Sequence, residues 1–410
     1  MNSCPKFLAA IAGTFLSLVT IDIHLAQASN FTFTSIVNNR DNKDFFGIGG
    51  GPINENGTVA FVATISSGQG IFSSNGSGAF TTALKPYPQY SYAINGLAIN
   101  NSDTVAFRNI TTLPPEGLFI SKSGNVITVA TPRDNLFGTL LTPNTFNNND
   151  TLVFTTLDNL NNGKIITGNG GSLTTVVDTS GQFRFFDQNP TINDSNVVAF
   201  EATLKDGRQG VFTIKDGTIT TIADNTSLFS GGFAGLAINN RGTVLFDASL
   251  KDGQTGIFTS NSGAISTIAD TSGPFSGLGG GINDNNQVVF GATLRNGAKN
   301  VFEDGIFTGS DPIADKVIAI GDSLLGGTVT NLLFEDLNNS GQISFLADVI
   351  DDSGKTIRGV FRADPLSQSI PESTSILGLL TFGTLGMGLT LKGKLKQKST
   401  VRRNGLTYTI

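Results

Sequence analysis

The chain of 410 residues has no tryptophan, two methionines, and only one cysteine and one histidine, Cys4 and His24. Both fall within the first 28 residues. The remainder therefore has no thiol nucleophile, no Ser-His-Asp triad, no His/Cys zinc site and no disulfide framework. No G-x-S-x-G sits on a strand-to-helix elbow, and no phosphate-binding G-x-x-x-x-G-K-[ST] loop occurs. Charged residues make up only 14% of the chain, and the interior shows no long helical periodicity. What remains available is carboxylate chemistry or binding.

Glycine, by contrast, is plentiful at 50 residues, and phenylalanine supplies 31 of the 35 aromatics. With abundant Asn, Val, Ile and Thr, this composition predicts short strands joined by tight turns. The expected fold class is all-β.

Two terminal segments carry a different signal. Lys6 precedes an apolar run within Phe7 to Thr20, and Ala26 and Ala28 supply the small residues that signal peptidase accepts. Residues 1–28 thus read as a secretory signal peptide cut before Ser29. At the other end, a linker (367–374) contains Pro371 and Glu372. A seventeen-residue apolar run (375–391) and a basic tail (392–410) follow. That order predicts a short membrane-spanning or sorting helix with a positive-inside stop. Between the two signals, once Lys6, the six C-terminal Lys and Arg, Asp22 and Glu372 are set aside, 19 basic residues face 30 acidic ones. So acidic a surface argues against a nucleic-acid partner. An extracellular polymer or a surface protein is the expected partner class.

The interior repeats itself. INENGTVAFVATI, INDSNVVAFEATL, INNRGTVLFDASL and INDNNQVVFGATL begin at Ile53, Ile192, Ile238 and Ile282. The opening Asn recurs at Asn54, Asn100, Asn147, Asn193, Asn239, Asn283 and Asn338, at intervals of 46, 47, 46, 46, 44 and 55 residues. Each unit contains four short strand patterns, the content of a β-propeller blade. The last unit lacks its fourth strand, and Phe31 to Asn38 (FTFTSIVN) has the matching pattern at the opposite end of the chain. One seven-bladed propeller over 29–366, closed by that N-terminal strand, removes the exposed sheet edges. The third-strand Phe residues are expected to fill the gaps between blades, and Gly49–Gly51 and Gly279–Gly281 to lie where strands crowd the axis.

The tandem N-x-x-G-x-V-A-F phrase, best written at Asn54, Gly57, Val59, Ala60 and Phe61, resembles the NxxGxxAF-repeat family of exported bacterial proteins. Other copies depart at Gly, with Asp103, Asp150, Asn196 and Asn286. The C-terminal order resembles a PEP-CTERM sorting segment, although Ser373 stands where that motif has a second proline. These resemblances imply export, envelope or surface retention, and processing by an exosortase-type protease. They supply no catalytic residues.

Candidate sites are few. Asp178, Asp224, Asp270 and Asp322 recur where fourth strands end. They suit either a Ca²⁺ site, the one cofactor in prospect, or Asp side chains capping their own turns. Tyr87, Tyr90 and Tyr92, with Phe183, Phe185 and Phe186 in the corresponding loop of a later unit, suit an aromatic ligand platform. No catalytic residue is assigned. A non-catalytic binding module is the expected function, with a carbohydrate-active enzyme using paired carboxylates, or a purely structural envelope protein, as alternatives.

Overall fold

The computed structural model describes residues 30–87, 94–110, 116–134, 141–157, 163–261, 263–296 and 301–366. The expected signal peptide with Ala26 and Ala28, the linker with Pro371 and Glu372, the 375–391 run and the basic tail lie outside the described residues. So do Tyr90 and Tyr92. Among the described residues there is no α-helix, and none is long and apolar enough to cross a membrane.

The strands pair into seven separate antiparallel sheets, taken up in chain order. Blade 5 shows the unit most fully: Phe229–Ile238, Val244–Leu250, Thr255–Asn261 and Ala264–Asp270, each paired with the next. The phrase INNRGTVLFDASL is thus the end of an inner strand, a tight turn and a second strand. Blade 3 departs from four strands. Its inner strand shrinks to a single bridge, Phe146 to Leu152, preceded by a 3₁₀ turn over Pro143–Thr145. Pro143 has no N–H to give a ladder, which ends the strand there.

Blade 7 confirms the closure. Phe31–Asn38 pairs antiparallel with Thr356–Pro365, from Phe31 opposite Pro365 to Asn38 opposite Gly359. Its Ile36 and Val37 enter the apolar cluster shared by blade 7 (Leu346, Val360) and blade 1 (Phe61, Phe72). The fold is a closed, seven-bladed β-propeller.

Phenylalanine builds the core between blades. In six blades the second-strand Phe lies directly opposite the third-strand Phe: Phe61 with Phe72, Phe107 with Phe119, Phe200 with Phe212, Phe246 with Phe258, Phe290 with Phe307, and Phe345 with Phe361. Each pair then packs on the small apolar face of the preceding blade. Phe246 and Phe258, for example, meet Ala199, Val211 and Ala223 of blade 4. At roughly 2–3 kcal/mol per fully buried Phe, this layer replaces the disulfides the chain lacks.

Candidate functional site

The repeated Asn has more work than setting a turn. Its Oδ1 accepts the N–H groups two and four residues on, as Asn239 does from Arg241 (3.1 Å) and Thr243 (2.9 Å). Its Nδ2 donates to the carbonyl of the next blade's Asn. The chain of bonds runs from Asn54 to Asn100, Asn147, Asn193, Asn239, Asn283 and Asn338, then from Asn338 back to Asn54, at 2.9–3.4 Å. All seven Asn are buried.

The next residue in each phrase forms a second ring. Side-chain oxygens of Asn101, Asn148, Asp194, Asn240, Asp284, Asn339 and Glu55 each accept the equivalent N–H of the preceding blade, at 2.7–3.0 Å. Together the rings surround one mouth of the channel, a polar void of about 120 Å³.

The fourth position of the phrase explains the departures from Gly. Gly57, Gly242 and Gly341 have φ of 74°, 80° and 75°, and Asp103, Asp150, Asn196 and Asn286 share that left-handed conformation at 56–60°. Asp and Asn tolerate it better than other side chains. Here they also contribute an acceptor, since Asn54, Asn100, Asn147 and Asn239 each donate to the Oδ1 of the following blade's fourth residue. Asn283 and Asn338, whose following blades carry Gly, donate instead to Gln287 and Gln342.

The expected metal residues are spread over separate turns and occupied locally. Asp178 accepts from the N–H and hydroxyl of Ser180, Asp224 from those of Thr226, and Asp270 from those of Ser272. Asp322 accepts from the Ala319 N–H and from Lys316 Nζ. The Ser180 bonds hold the Asp178 carboxyl below its usual range. Burial pushes Asp224 up, but the Thr226 bonds and Arg208 outweigh it and leave it lowered. Among the described residues no group of three or more acidic, His or Cys side chains is placed to hold a metal ion.

The aromatic platform needs correction. Phe183 and Phe186 are fully buried and pack on Phe200 at 5.3 and 5.7 Å between ring centroids. A bulge between Phe183 and Phe185 breaks the strand's alternation, so that Phe183 and Phe186 both turn into the core of blade 4 and Phe185 is left as the exposed ring. Phe185→Ala is accordingly expected to shift stability by no more than about 0.5 kcal/mol, checked by denaturant unfolding. Tyr87 ends the fourth strand of blade 1, opposite Gln69.

A group of carboxyls inside the blades, on strands that read as ordinary apolar ladders, was not signalled by the sequence. Glu201 and Asp247 occupy the same place in blades 4 and 5, one residue after the second-strand Phe. Burial pushes both up to about 8, and the negative charges of Asp187 and Asp247 add to the shift at Glu201. Asp247 Oδ1 is buried without a hydrogen-bond partner, and its Oδ2 lies against Gly235, where no Cβ would fit. On the inner strand of blade 7, burial brings Glu335 and Asp336 up to about 7. Asp336 also accepts the Ile53 N–H across the closing seam.

These four groups fix a pH dependence. Each binds its proton more tightly folded than unfolded, so the unfolded chain gains charge first as pH rises. Their contribution is complete below about pH 4 and is lost as pH climbs through 7 to 8. The midpoint of thermal unfolding is expected to fall between pH 5.5 and 8.5, and Asp247→Asn should flatten that slope.

A cavity of about 520 Å³ lies among the inner strands of blades 1 and 2, the Leu141–Pro143 segment and blade 7. Ile48, Val62, Leu97 and Leu141 give it apolar walls, and Glu335 and Arg358 face it from blade 7. Gly51 makes room for the Glu335 side chain, since a Cβ there would stand 3.1 Å from Glu335 Cγ.

The class of protein is therefore a seven-bladed β-propeller with one mouth locked by a hydrogen-bonded lattice and a cavity beside the channel. No protein-family model and no curated protein matches the chain. Among solved structures it is similar to a putative gluconolactonase (12% identity, TM-score 0.34, covering 82% of this chain and 92% of that one). It is also similar to the polysaccharide lyase Uly1 (8%, 0.43, 76% and 88%) and to a mutant Aleuria aurantia lectin in complex with Fucalpha1-6GlcNAc (9%, 0.32, 80% and 99%). At these TM-scores the fold rests on the strand pairing itself.

Proposed function

We propose that the chain is an exported, envelope- or surface-associated propeller acting as a non-catalytic binding module. Its ligand surface would be the end where one blade's fourth strand passes to the next blade's first. The observation that carries this is the contrast between the two ends. At the Asn end all seven blades repeat one lattice that consumes its own polar groups. At the other end equivalent segments diverge, and Phe46, Phe185 and Leu228 stand exposed on the segments entering blades 1, 4 and 5. Export rests on residues 1–28 and on the C-terminal order around Pro371 and Glu372. The full chain, produced in an exporting host, should bind an extracellular polymer or surface protein in a panel assay. Phe185→Ser with Leu228→Ser should weaken that binding. A folded, exported protein that retains nothing from such a panel would overturn the reading.

The carbohydrate-active alternative draws on one observation, the two protonatable carboxyls Glu201 and Asp247 in adjacent blades. Turnover of any polysaccharide that disappears in Asp247→Asn, with folding intact, would favour it.

A further inference from the structure

We propose that the cavity of about 520 Å³ beside the channel is a binding site for a small organic cation, an ammonium group on a short apolar body, with Glu335 as its counter-charge. This goes beyond polymer binding at the blade-entry loops and stands or falls separately from it.

The volume lies within the roughly 300–1,000 Å³ of small-molecule sites. Its walls are mainly apolar, which suits a hydrocarbon body. Its charge is offset only in part among the described residues, by the pull of Arg358 on Glu335. The Arg358 guanidinium is engaged by Asp348, at 3.1 and 3.0 Å to the two carboxylate oxygens, and by the Ile48 carbonyl at 2.9 Å. Arg358 and Asp348 thus offset each other, while the Glu335 carboxyl has no hydrogen bond to any described residue. The same cavity is lined by Thr142, whose hydroxyl oxygen is buried without a partner and does not cap the adjoining 3₁₀ turn. The Glu335 carboxylate is the acceptor the cavity offers, since the Thr142 oxygen is buried too deeply to be reached from it. An ammonium brings three donors and the missing positive charge. An anion would meet Glu335 as a like charge, and a neutral alcohol would leave the carboxylate uncompensated in an apolar surround.

The charged groups near Glu335 are few. Arg358 and Asp348 come from the third and second strands of blade 7, and Asp336 is its neighbour on the inner strand. The segments of blades 1 and 2 and Leu141–Pro143 that complete the cavity bring none. With burial holding the carboxyl up to about 7 against the pull of Arg358, it ionises through neutrality. Amine binding should tighten over that range.

The test compares n-butylammonium, n-butanol and butyrate as probes of the full-length protein, by calorimetry or ligand-observed NMR, at about pH 5.5 and about pH 8. The ammonium is expected to bind in preference to the other two. Its affinity should rise roughly thirtyfold between the two pH values, following the ionised fraction of a group that titrates near 7. Glu335→Gln should remove both the preference and the pH dependence, and Val62→Phe, which fills the cavity from another strand, should lower binding of the ammonium. Equal binding of alcohol and amine, a flat pH profile in the unaltered protein, no ammonium binding, or a folded Glu335→Gln that keeps the preference would each overturn the proposal. Polymer binding at the loops would be untouched by any of these.

Discussion

A chain lacking Phe31–Asn38 is expected to lose its cooperative thermal transition and to associate. The deleted strand supplies the outer edge of blade 7, where seven residue pairs hold it to Thr356–Pro365. Its Ile36 and Val37, 3% and 1% exposed, fill the seam between blades 7 and 1, at about 1.5–3 kcal/mol each. Thr34 hydrogen-bonds the Asp364 carboxylate at 2.7 Å, and Asp364 in turn holds Arg362, which reaches the Gly57 carbonyl of blade 1 at 2.7 Å. Removing the strand therefore strips the outer edge and weakens the polar latch across the seam. The bared edge, Thr356–Pro365, is long enough to recruit another chain. Circular dichroism on heating and light scattering check this, and a peptide of residues 31–38 added in trans should restore part of the transition. A truncated chain that melts within a few degrees of the full one would contradict it.

The second large effect belongs to Asn239→Ala, which should destabilise the fold by about 3 kcal/mol or more. The side chain is 4% exposed and makes four hydrogen bonds: two to its own turn, one to the Asn283 carbonyl and one to Asn286. Alanine leaves buried groups on both sides of a blade boundary unsatisfied, at about 1–3 kcal/mol each before relaxation. Asn239→Asp should be nearly as harmful, because it loses the Nδ2 donor and brings a charge against two oxygens. Arg241→Ala, in the same turn but exposed, should change little. Urea denaturation of the three variants separates these cases.

Much of the fold was legible because it is periodic. Seven Asn at one spacing gave the blade number, and the matching pattern of Phe31 to Asn38 gave the closure. The third-strand Phe residues do fill the gaps between blades, as their recurrence in the repeat suggested. What the Asn does beyond its turn was not legible, because its partners lie 44 to 55 residues away and the seventh bond spans the chain from Asn338 to Asn54. The same reason hides Glu335. Nothing in NLLFEDL marks one carboxyl as facing a cavity whose other walls come from residues 47–143. Phe183 and Phe186 misled because a cluster of aromatics in a loop-like stretch reads as surface, whereas residues 183–186 form a bulged strand whose two end residues both face the core. The recurring Asp residues at fourth-strand ends behave as repeated turn caps, which a per-blade pattern favours over a single shared ion.

The repeated phrase forms an inter-blade lattice, and ligand binding is proposed to lie at the opposite end of the propeller. Native-state amide hydrogen exchange in the seven phrase turns tests it most directly. Glu55, Asn101 and Asn240 are exposed, yet their N–H groups are each bonded to the next blade. Strong protection of the second-residue N–H is expected in all seven turns, including Asn339 at the closing seam, at rates set by opening of whole blades. Exchange at the rate of an unstructured chain in these turns would contradict it.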